Sequence, residues 1–103
     1  MQGEKNIPEL VKRAVFEIDH EAEVYLFGSR ARGDFNDESD WDFLILTEWE
    51  VSLEYKKKIR IKLYEIEIKL GIVINSMIKN KMQWEDYQLS VLYQNINHDQ
   101  IKI

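Results

Sequence analysis

The sequence predicts a small α/β (α+β) domain with helices packed on a short mixed sheet, and three observations predict it. Apolar residues recur at helical spacing near the start of the chain. Two runs of β-forming residues flank a polar loop, and a helix-length segment with cap residues at both ends precedes a third β run. The order is helix, strand, loop, strand, helix, strand, helix, and strand pairing does not follow from it.

Pro8 suits the first turn of a helix, and Ile7, Leu10, Val11, Ala14, Val15 and Ile18 recur behind it, so residues 8–19 are expected to be helical. Val24 to Phe27 reads as a strand that ends in a tight turn at Gly28. Residues 28–39 have no apolar period and are expected to be a loop, with a turn of helix near its start. From Asp40 to Thr47, two polar positions lead into a continuous apolar run, the pattern of a central strand buried on both faces.

Residues 52–70 carry both helical and alternating patterns. Length, a Ser52 cap and Gly71 just beyond the end favour helix. Ile72 to Ile78 is expected to be a strand. Residues 84–95 are expected to be a helix with Trp84, Tyr87, Val91 and Leu92 facing inward, and Gln100 to Ile103 to be extended.

At 103 residues the chain is expected to form one domain, residues 1–103, with one core and little material for separate substrate recognition. The absence of Cys removes disulfides and thiolate metal sites. No long apolar run is present and the first twenty residues are too charged for a signal peptide, so a soluble, cytoplasmic protein without a membrane segment is expected. The formal net charge of −5 argues against extended nucleic-acid binding, which relies on Lys and Arg releasing counterions. Lys56, Lys57, Lys58, Arg60 and Lys62 read as the solvated face of a helix. His20 and His98 have no metal-ligand spacing.

Asp40 and Asp42 lie two apart at a strand start, so both side chains project from one face with Cα atoms ~6.7 Å apart, at about 3.3 Å per residue. Such a pair can share a hard divalent cation, and Mg²⁺ commonly binds one or two carboxylates plus substrate phosphates. Gly28 permits close backbone approach, and Ser29 offers a hydroxyl and an N–H at the start of a turn suited to a phosphate. Arg30 and Arg32 place two cations beside it, either of which could meet the remaining charge of a triphosphate.

The run Leu26-Phe27-Gly28-Ser29-Arg30-Ala31-Arg32-Gly33-Asp34, followed by Ser39-Asp40-Trp41-Asp42-Phe43-Leu44-Ile45, resembles the signature of the minimal nucleotidyltransferases, small prokaryotic members of the polymerase beta superfamily. Ser90 to Ile96 is similar to their closing helix. The resemblance implies a polymerase beta-like fold in which Gly28 and Ser29 contact nucleotide phosphates and Asp40 and Asp42 are the catalytic acids that hold Mg²⁺, with room for two ions. It implies transfer of a nucleoside monophosphate from a nucleoside triphosphate, with ATP the expected donor, to an acceptor hydroxyl that could lie on a partner protein.

One departure stands out. The family carries a third carboxylate on the later strand, and here Asn75 or Ser76 occupies the place where an acid is expected. Neither is an anionic ligand or a base at neutral pH. Glu65 and Glu67 belong to the preceding helix. The alternative implied by the resemblance is therefore a catalytically impaired antitoxin that neutralises a small helical toxin by binding it. Self-association is left open.

Overall fold

In the computed structural model, which describes residues 6–103, the elements in chain order are α1 (Ile7–Ile18), β1 (Glu23–Phe27), α2 (Ser29–Arg32), β2 (Trp41–Thr47), α3 (Leu53–Leu70), β3 (Ile74–Asn80), α4 (Lys81–Glu85), α5 (Val91–Asp99) and β4 (Ile101–Lys102). The strands form one sheet in the order β3-β2-β1-β4. β1 runs antiparallel to β2 and β4, whereas β2 and β3 are parallel and joined through α3.

Period-two alternation along β1 and β2 divides the core. Val24, Leu26, Phe43 and Ile45 face one side, where Val11 and Val15 of α1 and Ile59 and Leu63 of α3 cover them. Leu44 and Leu46 face the other side against Trp84 of α4 and Ile96 of α5, with Tyr25, Phe27, Met77 and Tyr93 around them. Phe43, Leu44 and Ile45 are completely buried, and each contributes about 1.5–3 kcal/mol of transfer free energy. The prediction of a central strand buried on both faces is therefore met, with Asp40 one residue ahead of it.

The ambiguous segment is a helix, as its caps imply. The Ser52 hydroxyl accepts from the Tyr55 N–H at 3.0 Å, and Gly71 takes the left-handed conformation (φ 67°) while its N–H donates to Glu67 O at 2.8 Å. This C-cap also explains why β3 starts at Ile74 and not at Ile72. The first residues past Gly71 still serve the helix end, and the Ile72 N–H also reaches Glu67 O.

The single helix expected over residues 84–95 is instead two. α4 ends at Glu85, and α5 starts afresh because the Ser90 hydroxyl caps the Tyr93 N–H. Trp84 is buried as expected. Tyr87, Val91 and Leu92 are not, being 48%, 74% and 52% exposed, and Ile96 takes the inward position. A turn over residues 86–90 separates the helices, so one helical period cannot run through both.

A buried polar cluster that no motif announces ties α1 to β2 and α3. Asp19 Oδ2 accepts from Thr47 Oγ1 at 2.7 Å and from the Tyr55 hydroxyl at 2.8 Å, and Asp19 Oδ1 accepts from the Glu21 N–H at 3.1 Å. Burial is the largest influence on the Asp19 carboxyl and pushes it up. The three hydrogen bonds together outweigh it and hold the group below its ordinary value of 3.8. Tyr55 is pushed up to about 12, chiefly by burial.

A depressed carboxylate contributes stability that is present above its unfolded value and lost as pH falls through its folded one. Asp19→Asn is therefore expected to be less stable than wild type at pH 7, with the gap closing as pH drops below the ordinary carboxylate range. Thr47→Val should cost about 1.5–3 kcal/mol, the worth of a hydrogen bond to a charged group. Urea midpoints measured from pH 7 to pH 3 check both.

Candidate functional site

The site lies where β1 ends and β2 begins. Phe27, the last residue of β1, pairs with Asp42, the second residue of β2, and on the opposite edge Asp42 pairs with Asn75 of β3. Gly28 follows Phe27 directly, so the turn into α2 passes over the Asp42 side chain. Gly28 has φ 78° and ψ −160°, a region open essentially to glycine alone. A Cβ on it would sit 2.2 Å from Asp42 Oδ2. Two independent constraints thus require glycine here, a backbone angle and a carboxylate packed against the turn.

Asp40 and Asp42 converge as the spacing predicts, and Asn75 joins them. Its amide Nδ2 donates to Asp40 Oδ2 at 3.1 Å and to Asp42 Oδ1 at 2.9 Å, so both amide hydrogens are used on the two carboxylates. Ser76, the other candidate, is turned away, with its Oγ 3.5 Å from Arg60 Nε. Successive residues of a strand face opposite sides, so only one of the two could reach the pair. Among the described residues no three His, Cys, Asp or Glu side chains converge. Two convergent carboxylates do suit a hard cation that takes oxygen ligands and keeps open positions for phosphates.

The two arginines are arranged differently from expectation. Arg30 turns back on the loop that leads to Asp40. Its Nε and Nη2 donate to Ser39 O at 3.3 and 3.1 Å, Nη2 also reaches Asp37 O at 3.4 Å, and the guanidinium lies over the rings of Phe35 and Trp41 at 4.5 and 4.3 Å. Arg32 is paired with Asp99 at 2.9 Å and Asp34 at 3.2 Å, and the hydrogen bond with Asp99 does most to raise the guanidinium and lower that carboxyl. Gly28, Asp40 and Asp42 are thus brought together with Ser29 beside them, while both guanidiniums are engaged with the loop and α5. Asn75 is the site residue whose sequence signal was only the missing acid.

Between α3 and β3 a groove of ≈ 580 Å³ opens beside Asn75, lined among others by Lys57, Arg60, Tyr64, Glu67 and Ile74. Glu67 Oε2 accepts from the Ile74 N–H at 2.8 Å and Arg60 Nη2 reaches Ser76 O at 3.4 Å, so helix side chains cap part of the outer strand edge.

Gly28→Ala is expected to destabilise the fold by about 1–3 kcal/mol through its dihedral alone, with a further cost from displacing Asp42. Equilibrium unfolding in urea measures the sum. A loss below 0.5 kcal/mol would show that the turn relaxes freely and that the Asp42 contact is loose.

The family described as "Nucleotidyltransferase domain" matches residues 7–95. Two Methanocaldococcus jannaschii proteins, each bearing the name "Putative protein adenylyltransferase", are 43% and 40% identical to the chain over 58 residues, 56% of its length. The aligned part is 59% of one relative and 53% of the other, so the chain matches little more than half of each. Among solved structures, one described as "Structure of putative minimal nucleotidyltransferase" superposes with a TM-score of 0.64 at 19% identity, covering 97% of this chain and 95% of that one. A nucleotidyltransferase structure from Sulfolobus solfataricus gives 0.53 at 23% identity, covering 96% and 80%. At such identities the structural likeness is one of fold. With the family match spanning most of its length, the chain belongs to the nucleotidyltransferase domain family.

Proposed function

We propose that this protein transfers a nucleoside monophosphate from a nucleoside triphosphate, ATP by preference, to a hydroxyl on a partner protein, with Asp40 and Asp42 as its catalytic and metal-holding acids. The observation that carries this reading is the convergence of Gly28, Asp40 and Asp42 at one end of the sheet. The names of the two archaeal relatives support a protein acceptor.

A divalent cation bound there would neutralise triphosphate charge and make the acceptor hydroxyl easier to ionise. Asp40 and Asp42 would hold it, and one or two ions fit a pair of carboxylates that also leaves positions for phosphate oxygens. Gly28 keeps the turn close to Asp42, and Gly28 and Ser29 would offer backbone N–H groups and a hydroxyl to the nucleotide's phosphates. Arg30 fixes the loop that delivers Asp40. Arg32, beside the turn, is already matched by Asp34 and Asp99, so it would meet the outer phosphates only on leaving one of them. With residues 1–103 taken as one domain, the acceptor docks on an open face, and the groove between α3 and β3 that Asn75 helps to line is one such face. Among the described residues no helix is long and apolar enough to cross a membrane, which accords with a cytoplasmic setting.

A second reading, neutralisation of a small helical toxin-like partner by contact alone, is favoured by two observations. An amide stands where the family's third acid is expected, and the segment from Met82 to Leu92 exposes Met82, Tyr87, Leu89, Val91 and Leu92. A cluster of exposed apolar side chains in a small domain is a mark of an interaction surface.

Calorimetry of ATP with Mg²⁺, comparing wild type with an Asp40→Asn, Asp42→Asn variant, separates the readings. Metal-dependent binding that falls about tenfold or more in the folded variant is expected, and other nucleoside triphosphates should bind more weakly than ATP. Absence of binding by the folded wild-type protein would overturn the enzyme reading and leave the partner-binding one.

A further inference from the structure

Resting on the assignment of Asp40 and Asp42 as metal ligands, we infer that Asn75 is the third ligand of that site. It would present its carbonyl oxygen after a half-turn of its side-chain amide, and in the metal-free protein the same amide clamps the two carboxylates together.

The geometry begins with strand register. Parallel pairing sets Asn75 opposite Asp42, and its Nδ2 lies 2.9 Å from Asp42 Oδ1 and 3.1 Å from Asp40 Oδ2. Two like charges held this close repel each other unless something positive stands between them. Arg60 of α3, which reaches β3 beside Asn75, is turned to Ser76. Among the described residues, the two hydrogens of the Asn75 amino group are the side-chain donors in contact with the pair, and the amide orientation is dictated by the carboxylates.

A divalent cation between the carboxylates reverses the preference. The amino edge then faces a like charge, whereas the carbonyl oxygen of the same amide is an ordinary ligand for a hard cation. Rotation about the Cβ–Cγ bond exchanges nitrogen and oxygen with almost no change of shape. That torsion is broad for asparagine, and the side chain is solvent-exposed, so nothing packed against it resists the turn. The backbone of β3 stays in place.

The consequence concerns affinity. A set of two carboxylates and one neutral oxygen carries less negative charge than three carboxylates, and the cation must also break two hydrogen bonds to enter. Metal alone therefore binds weakly, and triphosphate oxygens supply the missing negative charge, so metal and nucleotide load together.

Calorimetric titration with Mn²⁺, in the presence and absence of ATP, tests this on wild type, Asn75→Asp, Asn75→Leu and the Asp40→Asn, Asp42→Asn variant, each checked for its fold by circular dichroism. Asn75→Asp is expected to bind Mn²⁺ alone about tenfold or more tightly than wild type, and Asn75→Leu to bind it about tenfold more weakly with ATP present. A residue that only clamps the empty site would behave oppositely, since its removal would leave Mn²⁺ affinity unchanged or higher; that result overturns the inference. The wild-type protein gives a second readout in NMR. On addition of Mg²⁺ and ATP, the Asn75 amide protons should lose their carboxylate partners and exchange faster with water, and unchanged exchange at saturation overturns the ligand role. If the double Asn variant binds Mn²⁺ and ATP as wild type does, the metal-site assignment itself fails, whatever Asn75 does.

Discussion

β2 is hydrogen-bonded along both edges and buried on both faces, and the rest of the molecule is arranged around that constraint. A strand so placed has one workable register. A slip of one residue would send Phe43 and Ile45 to the side of Leu44 and Leu46 and carry Asp42 toward the core. Because register is fixed on both edges, Asp42 is held between Phe27 and Asn75. The turn after Phe27 must then pass over the carboxylate, which only a glycine permits. Core packing and site geometry are thus one specification.

Charge at the site is handled by geometry more than by nearby cations. The chain carries 19 acidic against 14 basic residues, yet its two motif arginines are committed to the loop and to α5 and leave the carboxylate pair to a neutral amide. Arg30, stacked between Phe35 and Trp41 and bonded to main-chain carbonyls, turns a polar loop of otherwise little hydrophobic content into a defined support for Asp40. The pair consequently retains an unneutralised charge.

Much of this was legible before any coordinates, and the reasons are local. Ser52 and Gly71 flank α3 as cap residues, and that settled a segment whose apolar spacing fits helix and strand equally. Gly28, Asp40 and Asp42 stood out through spacing, since one turn and one strand start fix all three. What failed depended on distant partners. An arginine's sequence position does not say which carbonyl or carboxylate it meets, so Arg30 and Arg32 were read toward phosphate. Asp19 finds Thr47 and Tyr55 at separations of 28 and 36 residues, and no short pattern encodes that. The helix predicted over 84–95 failed because an apolar side chain signals burial only on average. Ser90, a good cap in mid-segment, was the overlooked sign of a break.

The departures from local regularity are not spread evenly. A turn that admits only glycine and two carboxylates that share one amide both narrow the sequences this end of β2 accepts. Any residue with a Cβ at position 28 would meet both the backbone angle and Asp42 Oδ2. Elsewhere the sheet keeps regular register, the helix ends are capped, and among the described residues no buried polar side-chain atom lacks a hydrogen-bond partner. Folding alone gives no reason to collect these restrictions at one end of β2. Restrictions of that kind, gathered at a single solvent-facing place in an otherwise consistent chain, are what a functional site would produce.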